Sequence, residues 1–282
     1  MDSTRRWHNL VWDEEKIARF WSVISDHPPW NDEFFSKQVG AGVVNFLKRL
    51  IPMQGRALDY GCGPGYLLEH LLAAGMRSEG VDFSETTVET VNRRFRGHGA
   101  WQGARVSSGE KLPYPDGTFD LVTCLETVEH VQPEKVQTLM ADLRRVLKPE
   151  TGMLLVTVPN SEKLIARNVY CPECGSVFHR YQHLSSFDIN TLEKLMIGFG
   201  FRTFLCGITD FDAFQRRRFP GLLDWTPRET YRWLRWAGAA LMDTACWPGA
   251  PAGGRSLHQT LGRGGHLFWL GSRNEGSIRH GE

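Results

Sequence analysis

Asp59-Tyr60-Gly61-Cys62-Gly63-Pro64-Gly65 sets an acid beside three closely spaced glycines, and Asp82 follows about twenty residues on. Glycines at a strand-to-helix turn let a ligand approach the backbone closely. A carboxylate at the end of the next strand can hold both hydroxyls of a ribose. Two ligands suit such a loop, a dinucleotide or S-adenosylmethionine. A dinucleotide wants Gly-x-Gly-x-x-Gly, with its pyrophosphate on a helix N-terminus. Here the third glycine comes one residue early, and Asp59 would repel a pyrophosphate while suiting a cationic amino group and a sulfonium. The balance favours S-adenosylmethionine.

Two further groups carry chemistry. Glu126, Glu129 and His130 stand in the run Cys124-Leu125-Glu126-Thr127-Val128-Glu129-His130. They are the candidate catalytic residues, able to line an acceptor or to act as acid and base. Cys171-Pro172-Glu173-Cys174-Gly175 reads as a zinc knuckle, and His179 and His183 follow it. Cys171, Cys174, His179 and His183 together form a Cys₂His₂ set suited to a structural, tetrahedral Zn²⁺. A redox pair is the competing reading of the cysteines, but such a pair should follow a strand and open a helix.

The elements that must position these groups alternate. Strands are predicted at Arg56–Tyr60, Ser78–Asp82, Ala104–Ser107, Phe119–Cys124 and Gly152–Val158, with helices at Tyr66–Ala74, Glu85–Arg94 and Pro133–Val146. That alternation implies parallel βαβ units and a sheet covered on both faces. It places the acidic run at the carboxyl end of a central strand, where such sheets bind ligands. Before the core, Asp13 caps a helix carrying Ile17, Phe20, Trp21 and Ile24, and a second helix carries Val43–Leu50. After it come an irregular segment at Pro159–Ser186, a helix at Ile189–Phe199, a strand at Phe201–Gly207 and a last strand at His266–Ser272. The expected division is a helical cap (1–54), the core (55–208, with the knuckle insertion at 160–185), a helical insertion (209–265), and a final strand and tail (266–282).

The loop Asp59–Gly65 resembles motif I of the Rossmann-like S-adenosylmethionine-dependent methyltransferases. Gly80-Val81-Asp82-Phe83-Ser84, Leu112–Asp120 and Glu129-His130-Val131 resemble later motifs of that family, in the same order. The likeness is close over Arg56–Pro159 and loose over Ser185–Gly207. It implies an α/β, seven-stranded sheet in the order 3-2-1-4-5-7-6, with His266–Ser272 antiparallel. It further implies that Asp59, Gly61, Cys62, Gly63 and Gly65 cradle the cofactor's amino-acid end and that Asp82 holds its ribose. Phe83 would lie against the adenine, Ser108 and Gly109 at the adenine edge, and Leu125 against the cofactor. Ser108 departs from the acid usual there, which leaves the Gly109 backbone to make the contact. Glu-x-x-Glu-His is similar to the metal site of the plant small-RNA 2'-O-methyltransferase and of the ubiquinone-pathway O-methyltransferases. Those sites add a downstream histidine, which His183 could match. Many methyltransferases of this fold carry Glu-His-Val there without a metal, the His acting as a base or packing, so a metal-free acceptor site is preferred to a catalytic Mg²⁺, Mn²⁺ or Zn²⁺. His183 cannot serve both sites unless they merge, and it is assigned to the cysteines.

The expected activity is methyl transfer to an oxygen of a small molecule or sugar. The alternatives are N- or S-methylation, or cofactor binding without catalysis, and a dinucleotide oxidoreductase is a remote third. The formal charge of +1 calls for no nucleic-acid partner. Met1–Leu10 has no long apolar run, so a secretory leader is not expected and the cytoplasm is the default location. The Trp- and Arg-rich stretch Thr226–Trp247 reads as a membrane-surface helix, a lid over the acceptor pocket or a dimer contact.

Overall fold

The computed structural model describes residues 7–107, 111–215, 257–261 and 265–274. A short strand, β1 (His8–Asn9), precedes helices α1 (Glu14–Asp26), α2 (Pro28–Asn31) and α3 (Phe35–Leu47). Asp13 caps α1 as predicted, its side chain accepting from the Lys16 N–H at 2.9 Å. The core then runs β2 (Arg56–Tyr60), α4 (Tyr66–Ala73), β3 (Arg77–Asp82), α5 (Glu85–Arg94), β4 (Trp101–Val106), β5 (Leu121–Leu125), α6 (Pro133–Val146) and β6 (Met153–Pro159). Pro133 sits in the first turn of α6, where its missing N–H costs nothing. A hairpin of β7 (Asn168–Tyr170) and β8 (Ser176–His179) follows, then α7 (Ile189–Gly198), β9 (Phe201–Thr209), β10 (Leu257–Leu261) and β11 (His266–Arg273).

The main sheet has the order β10-β9-β11-β6-β5-β2-β3-β4. Leaving β10 aside, this is the expected 3-2-1-4-5-7-6 arrangement, with β11 antiparallel to both β6 and β9. β10 adds an eighth strand, parallel to β9. It falls inside the segment expected to be helical, whose stretch Thr226–Trp247 lies outside the described residues.

Strand alternation divides two apolar layers between the faces of the sheet. Ala57, Leu121, Leu155 and Phe268 pack with Val43, Phe46, Leu67 and Leu71 of α3 and α4. Leu58, Val122, Leu154 and Trp269 pack with Leu139, Leu143, Leu192 and Met196 of α6 and α7. Trp269 is fully buried, and its indole N–H donates to the Thr203 hydroxyl at 2.9 Å. With both faces covered, β5 is buried along its whole length, so the turn that follows it has a rigid base.

The segment after β6 is less irregular than its sequence suggests. β7 and β8 pair antiparallel, and β1 joins β8 in parallel to make a separate three-stranded sheet. The N-terminal residues and the insertion therefore share one small sheet, and Trp21 and Gln182 from these segments reach the turn after β5.

Candidate active site

β2 delivers Asp59 and the glycine loop. Gly61, Gly63 and Gly65 all have positive φ. At Gly61 (φ +72°) a Cβ would come within 2.7 Å of the Thr127 hydroxyl, so the loop touches the turn after β5. Gly65 (φ +80°) caps α4 in a left-handed conformation, and a Cβ there would lie 2.9 Å from the Phe95 ring. Cys62 is buried beneath the loop against Gly80, which makes it a packing residue.

Asp59 is buried and accepts from the Thr123 hydroxyl at 2.7 Å. Burial pushes its carboxyl up to about 7 against that hydrogen bond, with the charge of Asp82 adding to the rise. A cation bound beside it would favour its ionised form. Asp82 ends β3, its Oδ2 accepting from the Gly63 N–H at 2.9 Å and its Oδ1 from the Ser84 N–H at 3.0 Å. Burial raises its pKa, and these backbone donors oppose the rise. Phe83 is 37% exposed, leaving part of its ring free to meet a ligand, and Leu125 closes β5 nearby in the sheet. Ser108 and Gly109 lie outside the described residues.

The turn after β5 carries the acids. Glu126 stands at φ +45°, a left-handed conformation unusual for a residue with a side chain. Its Oε2 lies 3.4 Å from His266 Nδ1 on β11, and its Oε1 is buried without a hydrogen-bond partner. Burial opposes protonation of His266, but the Glu126 carboxylate and the Asp210 charge outweigh it and raise its pKa. Glu129 is 1% exposed, and neither of its carboxylate oxygens has a hydrogen-bond partner. Burial, then the charges of Glu126 and Glu162, push its pKa well up. His130 Nε2 is 4.0 Å from Glu129 Oε1. Burial and the neighbouring His183 hold the His130 pKa well below its ordinary value.

His183 joins this pair. Glu129, His130 and His183 offer ligand atoms that all lie within 4.8 Å of one another. His183 comes from the chain after β8, and that chain is fixed by backbone bonds from the Leu184 and Ser185 N–H groups to the Glu129 carbonyl. Gln182, fully buried at φ +60°, binds the parts together. Its side chain accepts from the Trp21 indole at 2.8 Å and donates to the His130 carbonyl at 3.0 Å. Its own carbonyl faces His130 Nδ1 at 3.4 Å. Trp21 from α1 packs edge-on to His130 at 4.7 Å between centroids.

The proposed Cys₂His₂ zinc set does not assemble. In the hairpin, Asn168 pairs with His179 and Tyr170 with Val177, so Cys171 and Cys174 occupy the turn at one end while His179 lies at the other. At ~3.3 Å per residue, the strand alone carries His179 about 10 Å from the turn. His179 instead stacks on His183 at 4.5 Å, and both face Glu162. The spacing suited a loop, and the chain forms a strand there. Cys174 is exposed, with the Ser176 hydroxyl 2.9 Å from its sulfur. Cys171→Ser/Cys174→Ser is therefore expected to leave S-adenosylhomocysteine and Mn²⁺ affinities within two-fold of wild type by calorimetry. His183→Ala should lose Mn²⁺ binding in the same assay. Glu162, Gln182, Trp21 and His266 escaped the sequence reading; only Trp21 stood out there, as part of an apolar helix face.

The donor set fits a divalent cation. A buried carboxylate with no donors faces two imidazoles, an arrangement that is costly without a positive charge. Two nitrogens with carboxylate oxygens suit Mg²⁺, Mn²⁺, Fe²⁺ or Zn²⁺.

Residues 58–156 match the model of a methyltransferase domain family. A ubiquinone biosynthesis O-methyltransferase of Marinobacter nauticus is 29% identical over 154 residues, covering 53% of this chain and 61% of that protein. One from Methylococcus capsulatus is 35% identical over 122 residues, covering 43% of this chain and 51% of that protein. The chain thus spans between half and about three fifths of the length of these relatives. Among solved structures, a chain from the complex between the Haloferax volcanii Trm112 methyltransferase activator and a methyltransferase superposes with a TM-score of 0.59 at 16% identity. It covers 94% of this chain and 100% of that one, which is a likeness of fold. A sheet in the methyltransferase order, a glycine loop after its first core strand and the family match over the same residues agree: the chain carries a domain of the class I, Rossmann-like S-adenosylmethionine-dependent methyltransferases.

Proposed function

We propose that this protein is an S-adenosylmethionine-dependent O-methyltransferase acting on a hydroxyl of a small molecule or sugar, with a divalent cation held by Glu129, His130 and His183. The observation that carries the reading is the buried, donor-free Glu129 carboxylate among two imidazoles, one turn from the glycine loop. The named activity of the matched relatives supports the choice of oxygen.

When bound, S-adenosylmethionine supplies a sulfonium methyl, and a divalent cation supplies positive charge that lowers the pKa of a neighbouring hydroxyl. The chain does the rest by placement. Asp59 and the loop Gly61–Gly65 take the cofactor's amino-acid end, Asp82 its ribose and Phe83 its adenine, while Leu125 packs beside it. Glu129, His130 and His183 hold the acceptor side, and α1 with Trp21 covers it. Transfer breaks the S–C bond and forms an O–C bond, and the acceptor oxygen must shed one proton. Glu126, with Oε1 unengaged and Oε2 3.4 Å from His266 Nδ1, is the carboxylate placed to receive it.

Labelled methyl donor offered to matched panels of hydroxyl, amine and thiol acceptors tests this. Label should enter hydroxyl compounds, disappear after exhaustive chelation with S-adenosylhomocysteine affinity intact, and return with Mn²⁺ or Mg²⁺. Full activity after chelation would reject the cation, and label confined to amines or thiols would reject the oxygen acceptor.

A further inference from the structure

Glu162 reaches the site from the loop three residues beyond β6 and stands between two histidines. Its Oε2 contacts His183 Nδ1, and its Oε1 lies 3.5 Å from His179 Nε2. Its side chain is 15% exposed, and His179 and His183 are more buried still.

The hydrogen bonds decide where the protons sit. His179 Nδ1 accepts from the backbone N–H of Tyr181 at 3.3 Å and of His183 at 3.1 Å. A ring nitrogen that accepts carries no proton, so neutral His179 is protonated at Nε2, the nitrogen turned toward Glu162. An ionised carboxylate only accepts, so the contact between Glu162 and His183 requires a proton on His183 Nδ1. That leaves the lone pair of His183 on Nε2. His130 follows the same rule, because its Nδ1 faces the Gln182 carbonyl. On that assignment both imidazoles of the trio carry their lone pair on Nε2, whereas His179 carries a proton there.

We propose that Glu162, whose other oxygen lies 3.5 Å from His179 Nε2, is the positioning residue that fixes the tautomer and orientation of His183 for cation binding. Glu162 and His179 are then outer partners and not ligands, although Glu162, His179 and His183 lie close enough to suggest a second metal group. A metal there would need Nε2 of His179, whose Nδ1 is already committed as an acceptor of two N–H groups. The inference rests on the cation-dependent reading of the trio, and outer partners of this kind are worth about 10–100-fold in metal affinity.

The test reads tautomers and metal affinity separately. In metal-free ¹⁵N-labelled protein, imidazole ¹⁵N–¹H correlation spectra should show His183 protonated at Nδ1 and His179 at Nε2. Glu162→Ala should abolish the His183 preference and weaken Mn²⁺ binding, followed by electron paramagnetic resonance, about 10–100-fold. Glu162→Gln should fall between, since its amide oxygen can still accept from His183 while its NH₂ opposes His179. His183 protonated at Nε2 in the wild type would overturn the proposal whatever the variants do. So would a Glu162→Ala protein that loses thermal stability but keeps its tautomers and Mn²⁺ affinity. Wild-type protein with the stated tautomers but no Mn²⁺ uptake would instead refute the cation reading on which the proposal stands.

Discussion

Glu129→Gln is expected to stabilise the metal-free protein while cutting methyl transfer at least 100-fold. The two effects have one cause. The Glu129 carboxyl is buried without a donor, and its pKa is pushed well above the usual 4.5 by burial and by the acids around it. The folded chain then holds a proton that the unfolded chain releases above pH 4.5, so stability falls as pH rises beyond that point. Gln does not titrate, and its NH₂ can donate toward His130 Nε2, which lies 4.0 Å from Glu129 Oε1. The gain should be near zero at pH 4.5 and widen by up to about 1.4 kcal/mol per pH unit. Each kcal/mol moves the melting temperature about 2–4 °C in a domain of this size class. Melting curves in chelator at several pH values, with turnover measured in Mn²⁺, check both halves. A variant less stable than wild type at pH 7 would mean that the carboxylate has a donor, and full turnover would remove it from the site.

The parallel core was legible because its signals were local and agreed with one another. Asp13 marked one helix start and Pro133 another, and continuous apolar runs such as Met153–Val156 marked strands buried on both faces. β4 begins earlier than predicted because Gly103, at φ +103°, interrupts its pattern beside a register shift against β3. β7 and β8 were hidden for a different reason. Strands of three and four residues are too short to show a period, and the Cys-x-x-Cys turn between them suggested a metal loop. That single misreading moved His183 to the cysteines and left the trio with Glu129 and His130 incomplete. Glu162 and Gln182 carried no signal at all, since an isolated polar residue in a polar segment gains meaning only from its partners. His183 did carry one, in its likeness to the downstream histidine of known metal sites.

Asp82→Ala is expected to weaken S-adenosylhomocysteine binding at least ten-fold while leaving Mn²⁺ affinity unchanged. On the proposed reading Asp82 would act twice in cofactor binding. Its two oxygens already tie the Gly63 N–H of the loop to the Ser84 N–H that opens α5, at 2.9 and 3.0 Å. Ala removes both acceptors, leaves those donors unpaired and frees the loop whose left-handed glycines hold the ligand's path open. It also removes the remaining lone pairs that a ribose would use. Hydrogen bonds to a charged group are worth about 1.5–3 kcal/mol each, and about 1.4 kcal/mol is ten-fold in affinity, so losing one such bond to the ligand is enough for the expected effect. Asp82→Asn keeps one carbonyl acceptor for the backbone and should lie between Ala and wild type. The trio rests on β5 and on the chain after β8, so Mn²⁺ binding has no reason to follow. Calorimetry with each ligand on the same preparations separates the two. Wild-type affinity for S-adenosylhomocysteine in Asp82→Ala would remove Asp82 from the cofactor site, and a parallel loss of Mn²⁺ would show that the loop and the trio are not independent.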